Sequence, residues 1–270
     1  MRVIVTRPQR EAQQWVQALT ESGYDTWALP LIDVLPAPFP EQVMAAWNRI
    51  ASFDAVMFVS GNAVDQFFAL KPDESRAFTD DHAIKTRAFV TGPGSLSALM
   101  RAHVSRSCID MPDTDAGQFD SEALWKVVSP QLHPGYRALI VRGTTQPGIS
   151  EASTAGAGEG VGRDWFADQV RAAAGIVEFV VAYQRRMPDW SASEQQLVRE
   201  AAADGSTWLF SSSEAISNLL CACPGQDWSQ ARAVVTHSRI AQAARAAGFG
   251  VVCESRPALG ALMASIESLG

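Results

Sequence analysis

Short apolar runs alternate along this chain with stretches in which apolar residues recur every three or four positions. The runs have the length of buried strands, and they cover residues 3–5, 55–59, 88–91, 138–141, 207–210 and 233–235. After the third run, for example, Leu96, Leu99 and Met100 follow the i, i+3, i+4 spacing of one helical face. This regular alternation of strand and helix predicts βαβ units and mostly parallel sheets.

The second half of the chain repeats the first half in the same order. In one pair, DAVMFVSGNAVDQFF aligns with STWLFSSSEAISNLL, so that Ser60 falls on Ser212. Three strand–loop–helix segments recur in this way, and the matched pairs are 2–8 with 137–143, 54–68 with 206–220, and 87–100 with 232–245. The repeat indicates a duplicated domain, and a duplicated domain suggests a ligand held between two similar halves.

Two extended apolar stretches interrupt this pattern, one in each half. They read WALPLIDVL at residues 27–35 and VEFVVAYQRRM at residues 177–187, and prolines bound both of them. Each stretch follows the first strand–helix unit of its half. We interpret them as two crossings between domains, paired with each other as a ribbon.

The fold predicted from these patterns is α/β, with two parallel-sheet domains and a chain that crosses twice through a two-stranded linker. Domain 1 would combine residues 1–33 with residues 187–270, and domain 2 would span residues 36–178. The linker strands would lie at 27–35 and 177–187. The first strand–helix unit of each half would then belong to the opposite domain.

Composition narrows the possible functions. The length of 270 residues suits two domains, and 47% apolar with 19% charged residues is typical of a soluble globular protein. A net charge of −7 argues against a nucleic-acid partner, but it permits a small anionic ligand bound by local donors. No apolar run is long enough to span a membrane, and no signal peptide precedes the first strand, which predicts a cytoplasmic protein. The four cysteines lack the spacing of a metal site, so we expect no bound metal.

The loops after the predicted strands are rich in small and hydroxylic residues. In a parallel sheet these loops share one edge, and each opens a helix whose free N–H groups favour an anion. Serine, threonine and asparagine at these positions could instead cap their own helices. The candidate binding residues are Thr6, Arg7, Ser60, Gly61, Asn62, Thr91, Gly92, Ser95, Arg142, Gly143, Ser211, Ser212, Ser213, Thr236, His237, Ser238 and Arg239.

The alternation of strands and helices does not assign a function to residues 146–162 or to Tyr183. Residues 146–162 are rich in Gly, Ala, Ser and Glu, and this excess of residues relative to the first half predicts a mobile surface loop. The loop does not follow a strand in the frame of a dinucleotide fingerprint. Tyr183 lies in the second predicted crossing, where it either borders the ligand or packs in the ribbon with its hydroxyl in water.

Several of these motifs resemble the uroporphyrinogen-III synthase family. The matching segments follow each other in the order of the family, and they are VIVTRP at 3–8, FVSGNAV at 58–64, VTGPGS at 90–95, LIVRG at 139–143, VAYQR at 181–185 and FSSSEAI at 210–216. The chain departs from the family pattern at Val59, where threonine is usual, and at residues 236–239, where Gly-Pro-x-Thr is usual.

The resemblance implies two flavodoxin-like domains and a specific reaction. Members of the family cyclise the linear tetrapyrrole hydroxymethylbilane to uroporphyrinogen III, with loss of water and inversion of the terminal pyrrole ring through a spiro intermediate. They are lyases of heme biosynthesis that use no metal or organic cofactor. The resemblance therefore implies a tetrapyrrole substrate, and we expect a monomer in which Tyr183 assists departure of the hydroxyl group.

Two other functions remain open at this point. The chain could be a non-enzymatic cytoplasmic protein whose two domains bind a small anionic ligand. It could also be an NAD-dependent oxidoreductase, although that interpretation rests on the glycine run near residue 160. Separation of the isomers formed from hydroxymethylbilane would distinguish an enzyme from a binding protein, because a binding protein leaves the spontaneous product.

Overall fold

The computed structural model describes residues 1–79, 84–113, 119–145 and 161–269, and it describes residues 161–164 by their backbone alone. Most of the insert predicted at 146–162 therefore lies outside the described residues. The strands are β1 (Arg2–Val5), β2 (Asp25–Ala28), β3 (Asp33–Pro36), β4 (Ala55–Phe58), β5 (Arg87–Val90), β6 (Ile109–Asp110), β7 (Arg137–Thr145), β8 (Ile176–Arg186), β9 (Thr207–Phe210), β10 (Arg232–Val235) and β11 (Val251–Glu254).

Helices follow most of these strands. They are α1 (Gln9–Glu21), α2 (Pro40–Asn48), α3 (Gly61–Phe68), α4 (Pro93–Arg101), α5 (Ser121–Val128), α6 (Val161–Ala172), α7 (Ala192–Ala203), α8 (Ser213–Ala222), α9 (Ser238–Ala246) and α10 (Leu259–Glu267). Within the described parts of the chain, no helix is both long and apolar enough to cross a bilayer.

The chain divides into two compact units. Unit 1 contains residues Met1–Asp33 and Arg186–Gly270, and unit 2 contains residues Val34–Arg185. Each unit is built around one sheet. In unit 1 all neighbouring strands are parallel, and in unit 2 the neighbouring strands from β8 to β6 are parallel. The predicted α/β class with two parallel sheets is confirmed.

The sheet of unit 1 has the strand order β2-β1-β9-β10-β11. In this unit the order reads 2-1-3-4-5, which is the flavodoxin-like arrangement with a switch point between the first and third strands. Helices cover both faces, so that the four residues of β9 are all buried. One face carries an aromatic cluster in which Trp208 and Trp228 are fully enclosed, with Phe249 against them.

The sheet of unit 2 has the order β3-β8-β7-β4-β5-β6. Without the edge strand β3 this order matches that of unit 1, with β7 and β8 in the places of β1 and β2. The strands β1 and β2, which come from the first half of the chain, therefore share a sheet with strands of the second half. The strands β7 and β8, which come from the second half, share a sheet with strands of the first half. The switch points fall between β1 and β9 in unit 1 and between β7 and β4 in unit 2.

The two stretches predicted as linker strands are paired where β3 lies beside β8. Residues 27–35 split into the end of β2 in one sheet and the start of β3 in the other. Between these strands the Leu29 and Leu31 N–H groups still donate to the Val5 and Thr6 carbonyls. Leu29 and Leu31 are buried in the core of unit 1, where Asn218 of α8 donates to the Leu31 carbonyl at 2.7 Å. Strand β8 pairs with β7 from Ile176 to Arg185, has β3 on its other side, and belongs to the sheet of unit 2.

Candidate functional site

The switch point of unit 2 brings together the loops that follow β4 and β7. These two strands are neighbours in register from Ala55 beside Ala138 to Phe58 beside Val141. Their carboxyl ends therefore lie at the same edge, with Ser60 after β4 and Gly143 near the end of β7. In open parallel sheets a ligand binds outside the carboxyl ends of the strands at such a point.

A β-bulge between β7 and β8 directs Tyr183 to this edge. Arg142 lies opposite Val181, but Gly143 lies opposite Tyr183, so Ala182 is an extra residue on β8. Successive side chains of a strand normally alternate between faces, yet Ala182 and Tyr183 both pack in the core cluster that contains Val180. The bulge thus moves Tyr183 onto the face covered by α3, as bulges commonly re-aim a side chain.

Tyr183 is held on two sides at this position. Its side chain is buried, with 2% of the residue exposed. The ring lies directly on Gly143, where an added Cβ atom would come within 2.4 Å of the ring carbons. The Tyr183 hydroxyl shares a hydrogen bond of 3.1 Å with the Ser60 hydroxyl, in which either oxygen can be the donor. The alternative in which this hydroxyl lies in water is therefore wrong.

Ser60 is also the N-cap of α3. Its Oγ atom accepts a hydrogen bond of 3.1 Å from the backbone N–H of Ala63, so one of the unpaired donors of the first helical turn is satisfied. The capping function and the contact with Tyr183 thus involve the same oxygen atom. Capping alone does not account for a serine that also reaches a buried tyrosine.

The other candidates of unit 2 lie at or after the carboxyl ends of β4, β5 and β7. Gly61 closely approaches Gly94, since a Cβ atom on Gly61 would lie 3.3 Å from the Gly94 carbonyl oxygen, and this brings the loops after β4 and β5 together. The Arg142 guanidinium stacks over the Phe179 ring at 4.4 Å. The remaining candidates are partly or fully buried, and they are Asn62, Thr91, Gly92 and Ser95.

In unit 1 the loop after β1 is fixed by contacts within its own unit. Thr6 is 2% exposed, and its hydroxyl donates to the Leu209 carbonyl of β9 at 2.6 Å. Arg7 forms an ion pair of 2.7 Å with Glu11, and its guanidinium lies 4.0 Å from the centre of the Trp15 ring. The Thr6 hydroxyl therefore joins two strands, and the charge of Arg7 is offset by a carboxylate of its own helix.

The remaining loops of unit 1 show capping. Ser212 accepts a hydrogen bond of 3.1 Å from the Glu214 N–H at the start of α8. His237 caps α9, with its Nδ1 atom accepting from the Arg239 N–H at 3.1 Å. Ser238 and Arg239 are exposed, whereas the other candidates are half-buried, and they are Ser211, Ser213 and Thr236.

The contact of Thr6 leads to a prediction about stability. Replacing Thr6 by Val removes the donor to the carbonyl of the buried Leu209, so we expect the free energy of unfolding to fall by about 1–3 kcal/mol. The measurement is urea denaturation followed by circular dichroism. Thr26→Val makes the same change at a half-buried position of the neighbouring strand, where we expect a change within about 0.5 kcal/mol. Equal midpoints for the two variants would contradict the structural function assigned to Thr6.

Tyrosine is placed at the carboxyl edge in one unit and not in the other. All three tyrosines of the chain lie among the described residues. Tyr24 precedes β2 and Tyr136 precedes β7, which places both at the amino ends of their strands. Tyr183 is thus the one tyrosine near the carboxyl edge of a sheet. No group of three His, Cys, Asp or Glu residues within the described ranges is arranged to hold a metal ion.

A comparison with models of protein families shows the family of this chain. The family model described as Uroporphyrinogen-III synthase HemD matches residues 13–264. The chain belongs to the uroporphyrinogen-III synthase family. Membership makes it an enzyme of heme biosynthesis that acts on a small-molecule substrate, as the resemblance of the motifs implied.

Solved structures of this family share the fold. The uroporphyrinogen-III synthetase from Helicobacter pylori 26695 matches with a TM-score of 0.57 at 16% identity, over 100% of both chains. A mutant uroporphyrinogen III synthase from the extremely thermophilic bacterium Thermus thermophilus matches with a TM-score of 0.52 at 15% identity, over 100% of this chain and 98% of the other. At such low identity these likenesses establish the arrangement of the chain and leave its residues to be assessed individually.

Sequence reasoning missed several residues that shape the site. Ala182 creates the bulge, Phe179 supports Arg142, and Trp15 with Glu11 holds Arg7. The i, i+4 spacing of Arg7 and Glu11 is a signal that could have predicted their ion pair. A bulge leaves no comparable local signal, because it depends on the register between two strands far apart in sequence.

Proposed function

We propose that this chain cyclises hydroxymethylbilane to uroporphyrinogen III, with loss of water and inversion of the terminal ring through a spiro intermediate. It would act as a hydro-lyase and as a cytoplasmic monomer. The observation that carries the proposal is the family match over residues 13–264. Further support comes from the buried Tyr183 at the carboxyl edge of unit 2, hydrogen-bonded to Ser60.

The substrate carries eight carboxylates, whereas the protein itself has a net charge of −7. Overall attraction therefore does not explain binding, and local donors must supply it. Backbone N–H groups at the starts of α3, α4, α8 and α9 can do so without a net charge. Arg142 adds a cation, and the Phe179 ring, whose centre lies 4.4 Å from the guanidinium carbon, helps to hold it. Arg7 contributes less charge, since Glu11 already pairs with it.

The chemical step begins with departure of the substrate hydroxyl. Protonation turns this hydroxyl into water, and the pyrrole nitrogen stabilises the conjugated cation that remains. The Tyr183 hydroxyl is the group we assign to this protonation, and general acid catalysis of this kind contributes roughly 10²–10⁴-fold. Its buried position also limits competition by bulk water for the same proton.

Formation of the correct isomer depends on restraint of the substrate. The free cation closes directly to the isomer without ring inversion, so the enzyme must direct attack to the substituted carbon of the terminal ring. Several anchored carboxylates would restrict the linear chain to the bent form that favours this attack, and the entropy of positioning is then supplied by binding. This requirement explains why the site needs many donors and only one acid.

Isomer analysis tests the proposal. The purified protein is incubated with hydroxymethylbilane, and the products are oxidised and separated by chromatography against a protein-free control. We expect uroporphyrinogen III to predominate with the protein and uroporphyrinogen I without it. Recovery of isomer I in both reactions would refute the proposed activity, and retention of the unreacted substrate by the protein would then favour the binding-protein alternative.

A further inference from the structure

We infer that Ser60 is a positioning residue that donates its hydroxyl hydrogen to the Tyr183 oxygen, so that the phenol proton is directed toward the substrate. The inference rests on the proposed function, and it assigns Ser60 to proton transfer in addition to capping. It differs from the sequence prediction, in which Ser60 binds the substrate directly.

The hydrogen-bonding capacity of Ser60 permits this direction. A serine hydroxyl has one donor hydrogen and two acceptor lone pairs. One lone pair receives the Ala63 N–H at 3.1 Å, and the Tyr183 oxygen lies at 3.1 Å from the same Oγ atom. If Tyr183 donated to Ser60, its proton would be used within the protein. If Ser60 donates, the Tyr183 proton is left for a substrate oxygen.

Cooperative polarisation favours the second arrangement. The Ala63 N–H withdraws electron density from Ser60 Oγ, which makes the serine hydroxyl a stronger donor to its neighbour. The three groups then form one chain of donors from Ala63 through Ser60 to Tyr183. The chain begins at the N-terminus of α3, where the positive end of the helix dipole favours negative charge.

The proton and charge balance of water loss is consistent with donation from Ser60 to Tyr183. The O–H bond of Tyr183 breaks and an O–H bond forms on the departing hydroxyl, which leaves as water when its C–O bond breaks. A phenolate then remains on Tyr183 opposite the substrate cation, and the Ser60 hydroxyl stabilises it by a charge-assisted hydrogen bond. The spiro intermediate then reopens, and the final closure occurs at the unsubstituted α-carbon of the terminal ring. That carbon loses one proton, and the proton restores the phenol.

The duplicated half supplies a comparison for Ser60. Ser212 falls on Ser60 in the repeat, and it also caps its helix by accepting from Glu214. The tyrosines of the chain place a phenol at the carboxyl edge of unit 2 only. Capping is thus common to both serines, and the contact with a phenol distinguishes Ser60.

A double-mutant cycle tests the inference. Ser60→Ala, Tyr183→Phe and the double variant are compared by initial rates of uroporphyrinogen III formation, corrected for spontaneous closure. We expect Ser60→Ala to lower kcat by roughly tenfold or more with KM within about twofold, because a hydrogen bond to a charged group is lost. The double variant should be no slower than Tyr183→Phe, since Ser60 acts through Tyr183. Ser60→Thr retains the hydroxyl and should restore most of kcat.

Loss of folding stability must be separated from loss of the proton path. Thr86→Val provides the control, because the buried Thr86 hydroxyl donates to the Ile50 and Phe53 carbonyls at the opposite, amino edge of the same sheet. We expect its urea midpoint to fall at least as far as that of Ser60→Ala, while its kcat stays at the value of the unmodified enzyme.

Three results would overturn the inference. A raised KM with unchanged kcat in Ser60→Ala would show that Ser60 binds the substrate. Independent losses that multiply in the double variant would show that Ser60 does not act through Tyr183. An unchanged rate in Tyr183→Phe would remove the acid itself. All three presuppose that the unmodified enzyme yields isomer III, so they are distinguishable from failure of the proposed function, in which isomer I forms throughout.

Discussion

The Tyr183→Phe enzyme is expected to form uroporphyrinogen III about 10²-fold more slowly than the unmodified enzyme, at the lower end of general acid catalysis. Phenylalanine retains the ring that lies on Gly143, so the packing of the buried side chain is preserved. Only the hydroxyl that contacts Ser60 is removed. We therefore expect kcat to fall while KM stays within about twofold, because the anchoring of the carboxylates is unchanged. Initial rates at several substrate concentrations measure both constants.

Tyr136→Phe is the matched control for this experiment. Tyr136 is also buried in unit 2, but it precedes β7 and lies at the amino end of that strand. Burial raises the pKa of the Tyr136 hydroxyl well above its usual range, and the nearby Asp54 and Asp110 carboxylates raise it further. We expect this variant to keep full turnover. A similar loss in both variants would mean that a buried phenol matters for folding, and it would remove Tyr183 from the chemical step.

The strands could be predicted from sequence where burial is complete on both faces. Residues 55–59 and 207–210 were predicted as strands, and the structure has Ala55–Phe58 and Thr207–Phe210 with every residue buried. A continuous apolar run suffices in such cases because both faces of a parallel sheet are covered by helices. The repeat between the halves added the order of the elements, which local pattern alone does not contain.

The stretches around residues 30 and 180 show the limit of this reasoning. Both are extended and apolar, and the sequence alone suggests that they pair with each other as one ribbon. Whether an extended segment ends a strand, as near Pro30, or adds eleven residues to a sheet, as in Ile176–Arg186, depends on its distant partners. Strand β8 lies between β3 and β7, and no local feature of the sequence specifies its register with β7.

The candidate site was predictable in its residue types and less so in its contacts. Capping by Ser60 and Ser212, the alternative to binding at these positions, could be predicted because capping is a local property. The cap formed by His237 could not, since histidine is not among the usual N-cap residues. The contact between Ser60 and Tyr183 was not predictable, since it needs the bulge to turn Tyr183 toward α3. Gly143 was predicted as a binding residue, and the structure adds a steric reason for glycine at that position.

Replacing Gly143 by Ala is expected to lower kcat about as much as Tyr183→Phe, although the hydroxyl is retained. The new Cβ atom would lie 2.4 Å from the Tyr183 ring carbons Cε2 and Cζ, far inside van der Waals contact. The ring must therefore move, and a displacement of about 1 Å of a catalytic group can cost roughly 10²-fold in rate. Overpacking should also lower the free energy of unfolding by about 1–3 kcal/mol. Initial rates and urea denaturation measure the two effects.

The origin of this loss can be isolated by removing the ring. A Tyr183→Ala background removes the three atoms nearest to the added Cβ atom. Gly143→Ala should then destabilise the protein much less, and the two changes should be strongly non-additive. Gly260→Ala serves as the control for glycine replacement itself. Among the described residues, none beyond its chain neighbours and the backbone of its own helix lies within 4 Å of a Cβ atom added there. We expect it to raise stability by about 0.4–1 kcal/mol with unchanged turnover. Gly143→Ala could instead destabilise the protein equally with and without the Tyr183 ring. Glycine would then be required by the backbone of the bulge and not by the contact with the ring. In that case the position of the acid would depend on Ser60 and the strand register alone.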